Sequence, residues 1–191
     1  MKNEKLRTKN FNSLLRPEFC ILSSTFWAPK EIIETSIDWL ELNEKSKILD
    51  IGSGVGKFCV EGARISDASF TGVEIRKNLI EEANRIAQGL ELKNVQFIHS
   101  DIKDVDFSAY DSFFYYNPFC EHLAIDEVID DSLEFSRENH RMYEDVVFEK
   151  LEKMPPGTKV VTYNSREFIL PGSYRMVKMS KEGSLVLWGK E

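Results

Sequence analysis

The sequence is short of cysteine, of long apolar runs and of export signals, and each shortage narrows the classes of protein to which it can belong. Its three cysteines, Cys20, Cys59 and Cys120, form no C-x-x-C pair, which argues against a disulfide framework or a zinc site. No apolar run approaches the roughly 18 residues of a membrane span, and the charged N-terminus lacks the apolar core of a signal peptide. We therefore expect a cytoplasmic protein with no bound metal and no membrane partner.

Basic charge is also scarce, because Asp and Glu outnumber Lys and Arg by 32 to 25, which gives a formal net charge of −7. Nucleic acids are bound largely by Lys and Arg that neutralise phosphates, so the composition disfavours nucleic acid as a partner. The stretch Met1–Arg16 is a local exception, since Glu4 is its one acidic residue beside Lys2, Lys5, Arg7, Lys9 and Arg16. We expect this stretch to be a solvated tail, and a nucleic-acid-binding arm is the alternative.

The alternation of short apolar runs with helical patterns predicts an α/β fold in one domain, residues 1–191. A helical preface, residues 1–45, comes first, and Pro29 opens its amphipathic helix. Parallel strands are predicted near Lys47–Ile51, Ser69–Glu74, Val95–His99, Ser112–Asn117 and Lys159–Tyr163. Tyr174–Met179 and Ser184–Trp188 are predicted to form a hairpin. The prediction is an open, mostly parallel sheet with helices on both faces and an antiparallel C-terminal hairpin edge.

Helices are predicted between the strands, from about Gly56 to Ile65, from about Asn78 to Leu90, and over Tyr143–Lys153. The acidic stretch 121–141 is longer than the crossover from the fourth strand to the fifth requires. We interpret it as an insertion near the substrate side, with a peripheral elaboration as the alternative.

A glycine loop carries the main functional signal: Ile48 to Lys57 spells ILDIGSGVGK, and Gly72-Val73-Glu74 follows. Glycines let a ligand approach the backbone, and Glu74 is placed to accept the two hydroxyls of a ribose. A dinucleotide fingerprint would need glycine or alanine instead of Lys57 and would set a pyrophosphate beside Asp50. A triphosphate loop would need glycine at Ile51 and a hydroxyl at position 58. Neither phosphate ligand fits the loop.

The loop spells D-x-G-x-G-x-G, and the chain resembles the seven-stranded, class I (Rossmann-like) S-adenosylmethionine-dependent methyltransferases. The resemblance implies S-adenosylmethionine as cofactor and a seven-stranded sheet. It places the ribose carboxylate on Glu74 and the contact with the adenine amine on Asp101. The implied cofactor-binding residues are Asp50, Gly52, Ser53, Gly54, Gly56, Glu74, Asp101, Ile102 and Asn117.

Asn117-Pro118-Phe119 follows the fourth strand and is the implied catalytic run. Relatives that methylate an adenine amine or a glutamine amide have Asn-Pro-Pro-aromatic at this place, and the second proline is absent here. Lysine methyltransferases of the disruptor-of-telomeric-silencing type carry an Asn and a Phe there. We expect methyl transfer to nitrogen, with a protein lysine or small amine ahead of an adenine amine in nucleic acid. A non-catalytic module that binds an adenosine ligand is the competing class.

The neighbours of this run suggest further roles. Cys120 could be a nucleophile toward a pyrimidine carbon, but enzymes of that kind place cysteine directly after proline. Glu121 and His122 are expected as solvated loop residues that could accept a proton. Phe26 and Trp27 precede the first helix and could cover the cofactor or form a packing staple.

Overall fold

A central seven-stranded sheet organises the computed structural model, which describes residues 9–123, 128–165, 168 and 170–191. The strand order is β3-β2-β1-β4-β5-β7-β6; the first five strands are parallel, and β7 runs antiparallel to both neighbours. The strands are β1 (Lys47–Ile51), β2 (Ser69–Glu74), β3 (Val95–His99), β4 (Ser112–Tyr115), β5 (Lys159–Tyr163), β6 (Tyr174–Met179) and β7 (Leu185–Lys190). The predicted fold class is confirmed.

Four longer helices surround the sheet: α1 (Lys30–Leu40), α2 (Lys57–Ile65), α3 (Lys77–Gly89) and α4 (Arg137–Glu152). Before α1 lie three one-turn segments, Phe11–Leu14, Pro17–Cys20 and Ser23–Phe26. Single 3-10 turns lie at Ile102–Asp104, Phe107–Ala109 and Cys120–His122. Among the described residues, no helix is both long and apolar enough to cross a bilayer.

Two boundaries differ from the sequence prediction for local reasons. β4 ends at Tyr115 and does not reach Asn117, because Asn117 has φ +40°, which leaves the extended conformation of a strand. α4 begins at Arg137 and not at Tyr143, because the Ser136 hydroxyl caps it by accepting the Asn139 N–H at 3.1 Å. The end of the 121–141 stretch is therefore the first turn of α4.

Alternating side chains bury the two faces of the sheet separately. In β1, Ile48 faces α1 and α2, whereas Leu49 and Ile51 face α4. A third cluster joins the one-turn segments to α2 and α3 through Phe11, Phe19 and Trp27. The helical preface is thus packed against the domain from Phe11 onward.

Ion pairs to a buried carboxylate hold this preface on α3. The Glu82 side chain is fully buried and accepts the Arg16 backbone N–H at 2.9 Å and Arg16 Nε at 2.6 Å. Arg85 donates to the same carboxylate at 2.8 Å. Of the basic residues of the predicted tail, Lys2, Lys5 and Arg7 lie outside the described residues, whereas Arg16 is anchored and not a solvated tail residue.

Replacing Glu82 by Gln should destabilise the protein at neutral pH by about 2–3 kcal/mol, since two arginines lose their charged acceptor. Burial opposes ionisation of Glu82, but the hydrogen bonds from Arg85 and Arg16 outweigh it and lower the pKa to about 2. The contribution of Glu82 is therefore present above the unfolded-state pKa near 4.5 and is lost as the pH falls toward 2. Urea denaturation at pH 7 and pH 3 checks this expectation.

The control is Glu81→Gln, since Glu81 is exposed and pairs with Lys77 at 3.8 Å on the same helix. A Glu82→Gln penalty that stays the same at both pH values would contradict the expectation.

Candidate active site

A cavity of about 510 Å³ opens at the carboxyl ends of β1 to β4, within the usual range of about 300–1,000 Å³ for small-molecule sites. The strand order reverses between β1 and β4, which is where open α/β sheets bind ligands. Its walls come from the loops after β1 to β4, from Thr25–Ala28 of the preface, and from α4. All predicted site residues line the cavity except Gly56.

The three motif glycines have positive φ angles, but they meet different surroundings. Gly52 has φ +70°, and a Cβ there would lie 2.5 Å from the Cβ of Pro118. Gly54 has φ +54°, and no atom lies within 4 Å of its Cβ position, which leaves open space toward the cavity. A Cβ on Gly56 would overlap the ring of Phe97. Gly56 therefore serves backbone conformation and packing.

The Asp50 side chain is buried, with an exposed fraction of 4%. Among the described residues no basic side chain forms an ion pair with it. Its contact is the Cys59 thiol, with Sγ 3.6 Å from Oδ2. Burial raises the pKa of Asp50 to about 7; the thiol opposes this shift and the charge of Glu74 adds to it. Such a carboxylate is suited to a ligand that brings a positive charge.

Glu74 is the last residue of β2, and each of its carboxylate oxygens accepts a hydrogen bond from a backbone N–H. Oε2 accepts the Gly54 N–H at 3.1 Å, and Oε1 accepts the Arg76 N–H at 2.9 Å. Burial raises the pKa of Glu74, and these two hydrogen bonds oppose the shift. Each oxygen retains a lone pair for a hydroxyl donor. The glycine loop and the predicted ribose carboxylate are thus tied together before a ligand arrives.

Asp101 follows β3 and is held by a residue that the sequence did not indicate. Its Oδ2 accepts the Tyr143 hydroxyl at 3.2 Å, and Lys103 Nζ lies 3.0 Å away. Ile102 is buried beside it. Tyr143 comes from α4, so a distant helix fixes the predicted adenine contact.

Asn117 has a left-handed backbone and a side chain that lines the cavity. Its N–H donates to Ser165 Oγ at 3.1 Å, and its carbonyl accepts the Cys120 N–H at 3.1 Å. The next residue, Pro118, packs on Gly52. These contacts place the predicted catalytic Asn117 beside the glycine loop.

Phe119 belongs to an aromatic wall on the side of Asp101. Its ring stacks on Tyr143 at 5.0 Å, and Tyr143 stacks on His122 at 5.7 Å. Tyr116, Phe26 and Trp27 also line the cavity, and the Tyr116 hydroxyl donates to the Thr25 carbonyl at 3.4 Å. Tyr115 instead lies in the core, stacked on Phe168 at 4.1 Å.

Glu121 and His122 are not solvated, contrary to the sequence interpretation. Both are 7% exposed, because Glu121 pairs with the buried Arg76 and His122 packs between aromatic rings. His122 Nδ1 accepts the Ser136 N–H at 3.3 Å, and burial lowers the pKa of its ring. A ring nitrogen that already accepts a hydrogen bond is poorly placed to take a substrate proton.

Sequence reasoning did not single out Arg76, Tyr143 or Phe135, all of which line the cavity. Arg76 stands two positions after Glu74, which is its one sequence signal. The other two are aromatic residues in a polar stretch, and nothing local indicates a cavity.

The comparisons with known proteins agree with this geometry. A model of the methyltransferase domain matches residues 42–153, more than half of the chain. The chain belongs to the methyltransferase domain family. An RNA methyltransferase from Salinibacter ruber, solved with S-adenosyl-L-homocysteine, has the same fold, with a TM-score of 0.58 at 23% identity; the match covers 85% of this chain and 92% of that one.

Two curated relatives match parts of the chain. A 23S rRNA (uracil(1939)-C(5))-methyltransferase of Haemophilus parainfluenzae is 34% identical over 80 residues, 41% of this chain and 18% of that protein. A tRNA (guanine-N(7)-)-methyltransferase of a Synechococcus strain is 47% identical over 55 residues, 28% of this chain and 23% of that protein. The methyltransferase domain thus matches about a fifth of the length of these relatives.

These names correct the expectation that nucleic acid is a disfavoured partner and that a protein or small molecule is preferred. Relatives that match parts of this chain are named for ribosomal and transfer RNA. The charge argument failed because net charge sums over the whole surface, whereas phosphate contacts need only a local group of basic side chains. A net charge of −7 therefore does not decide the partner.

The cofactor of this methyltransferase domain is S-adenosylmethionine, and the residues present fit it. The ligand carries an ammonium group, and Asp50 is a buried carboxylate without a described cation. The space at Gly54 admits a ligand against the backbone. Ser53 also lines the cavity, between Gly52 and Gly54 of the loop.

The pKa of Asp50 generates a test. S-adenosylhomocysteine carries an ammonium group, whereas 5′-methylthioadenosine lacks the amino-acid part. Because ionisation near pH 7 creates the partner of the ammonium, the affinity for S-adenosylhomocysteine should rise about tenfold from pH 6 to pH 8 relative to that for methylthioadenosine. Titration calorimetry measures both affinities.

Both ligands contain the ribose, so Glu74 should contribute equally to both affinities. The pH dependence of their ratio therefore reports the contribution of Asp50. In Asp50→Asn the ratio should not depend on pH. A ratio in the unmodified protein that stays constant from pH 6 to pH 8 would exclude Asp50 as the ammonium partner.

Proposed function

We propose that this chain methylates RNA, transferring the methyl group of S-adenosylmethionine to a nitrogen of an unpaired nucleobase. The exocyclic amine of adenine is the first candidate acceptor. The observation that carries the proposal is the position of Asn117. Its neighbour Pro118 packs on Gly52, so Asn117 lies next to the glycine loop. The names of the rRNA and tRNA methyltransferase relatives support RNA as the acceptor class.

The side chain of Asn117 suits an amine. It lines the cavity and makes no hydrogen bond with the described residues. Its amide oxygen can accept one N–H of a planar amine. Because Ser165 and Cys120 hold the backbone on both sides, the side chain is oriented before the acceptor enters.

S-adenosylmethionine, when bound, supplies a methyl group on a positively charged sulfur. The acceptor nitrogen bonds to the methyl carbon while the carbon–sulfur bond breaks, and the nitrogen then loses its proton to solvent. We assign Asp50 to the ammonium group, Glu74 to the ribose and Asp101 to the adenine of the cofactor. The contribution of the protein is orientation, which supplies much of the acceleration when the reacting atoms lie about 3–3.5 Å apart.

Aromatic side chains near Asn117 could stack on a nucleobase that has left its own base stack. Tyr116 and Phe26 line this part of the cavity, and the Tyr116 hydroxyl donates to the Thr25 carbonyl at 3.4 Å. Enzymes that modify a base extrude it into a pocket and stack it on such rings. A single-stranded or looped region is therefore the expected substrate.

Local basic side chains lie near the cavity despite the acidic total. Lys57 lines it and is half-buried, and Lys30 follows the Thr25–Ala28 wall. Burial lowers the pKa of Lys57, opposed by the charges of Glu61 and Glu31. These lysines are candidates for contacts with the phosphates that flank the acceptor.

The test uses RNA from host cells whose gene for this chain has been deleted, because target sites are then unmethylated. Purified protein and labelled S-adenosylmethionine are incubated with this RNA, with cell protein and with small metabolites. We expect label in RNA that ribonuclease releases. Label confined to protein or metabolites would contradict the proposal.

Asn117→Ala should reduce methyl transfer by a hundredfold or more while S-adenosylhomocysteine affinity stays within about threefold, because the substitution removes only the acceptor contact. Asn164→Ala is the matched control, since Asn164 also follows a strand with a left-handed φ of +51° but does not line the cavity. Cys120→Ser should remain active. Loss of activity in Cys120→Ser with retention in Asn117→Ala would favour a carbon acceptor instead.

A further inference from the structure

Arg76 is a buried arginine in the wall of the cavity, two residues beyond Glu74. Its side chain is 4% exposed. One guanidinium nitrogen donates to Glu121 at 2.9 Å and Nε donates to Asp130 at 3.0 Å. Its backbone N–H donates to Glu74 at 2.9 Å, and the guanidinium lies 4.0 Å from the same carboxylate.

The charges of this cluster are unbalanced. Glu74, Glu121 and Asp130 surround one guanidinium, and among the described residues no other basic side chain pairs with them. A buried carboxylate without a cationic partner is strongly disfavoured. Arg76 is therefore the group that lets these three carboxyl groups lie close together.

The partners of Arg76 belong to two structures around the cavity. Glu121 lies in the turn directly after the catalytic run, and its Oε1 also accepts the Ile129 N–H at 2.7 Å. Asp130 lies in the segment 129–135, which we call the outer wall because Ile129, Leu133, Glu134 and Phe135 line the cavity. The Phe135 ring lies 5.8 Å from the Arg76 guanidinium.

We propose that Arg76 is a positioning residue for the nucleoside end of the cofactor. Its guanidinium offers the Glu74 carboxylate a positive charge at 4.0 Å, and its hydrogen bonds to Glu121 and Asp130 fasten the outer wall beside Glu74. The inference rests on the assignment of Glu74 to the ribose in the proposed function. Arg76 touches neither reacting atom, so it acts through Glu74 and the wall.

The test measures binding of S-adenosylhomocysteine and of 5′-methylthioadenosine by calorimetry. Arg76→Gln should weaken both ligands by the same factor, about ten- to a hundredfold, because both share the nucleoside. Arg76→Lys keeps the charge but not the forked donors, so it should recover part of the loss. Arg64→Gln is the control, since Arg64 is a mostly buried arginine that pairs with Glu61 and does not line the cavity.

A double-substitution cycle separates positioning from a general structural role. If Arg76 acts through Glu74, then Arg76→Gln should weaken binding several-fold less in a Glu74→Gln background than alone. Multiplicative effects in the cycle would overturn the proposal, as would unchanged binding in Arg76→Gln. Thermal unfolding establishes that each variant is folded, and if Arg76→Gln is not, the cycle is run with Arg76→Lys.

The outcomes for the two proposals are separate. Binding of S-adenosylhomocysteine by the unmodified protein is sufficient for the Arg76 test, whatever acceptor is methylated. Absence of label in RNA would contradict the proposed function. The Arg76/Glu74 double-substitution cycle would still test the positioning role, because it depends only on ligand binding. Equal loss of both ligands in Arg76→Gln would support the positioning role without identifying the acceptor.

Discussion

A contact between Gly52 and Pro118 is the constraint on which the site depends. The two residues come from different loops, one after β1 and one after β4, and a single methyl group at position 52 would lie 2.5 Å from the proline Cβ. Atoms do not approach so closely, so a side chain at position 52 would push the loops apart. The glycine loop and the turn that contains Asn117 and Pro118 are therefore packed directly against each other, and the backbone sets the distance between them.

The site also concentrates buried acidic groups that do not favour stability. Asp50 and Glu74 are both less than a tenth exposed, and burial raises the pKa of each. A protein under selection for stability alone would replace them by apolar residues. Their cost is tolerable because backbone N–H groups, a thiol and one arginine stabilise them, and because a cationic ligand adds the charge that is lacking.

Local patterns predicted the sheet and the glycine loop, since strand alternation, glycine spacing and a terminal carboxylate are written in consecutive residues. The sequence did not indicate that the Tyr143 hydroxyl donates to Asp101, which lies 42 positions earlier in the chain. Nor did it indicate that Arg76 donates a hydrogen bond to Glu121. Such pairs form when the fold brings distant segments together, and neither partner has a distinctive neighbourhood. The expectation that nucleic acid is a disfavoured partner was wrong for a related reason: net charge is a sum, and recognition depends on where the charges lie.

The preface has a consequence for what the shared domain contributes to the cavity. The family match begins at residue 42, yet Thr25–Ala28, which precede it, form one wall of the cavity. Glu82 fastens this preface to α3 from outside the cavity. The matched region therefore does not enclose the cavity by itself, because a segment that precedes it supplies part of the enclosure.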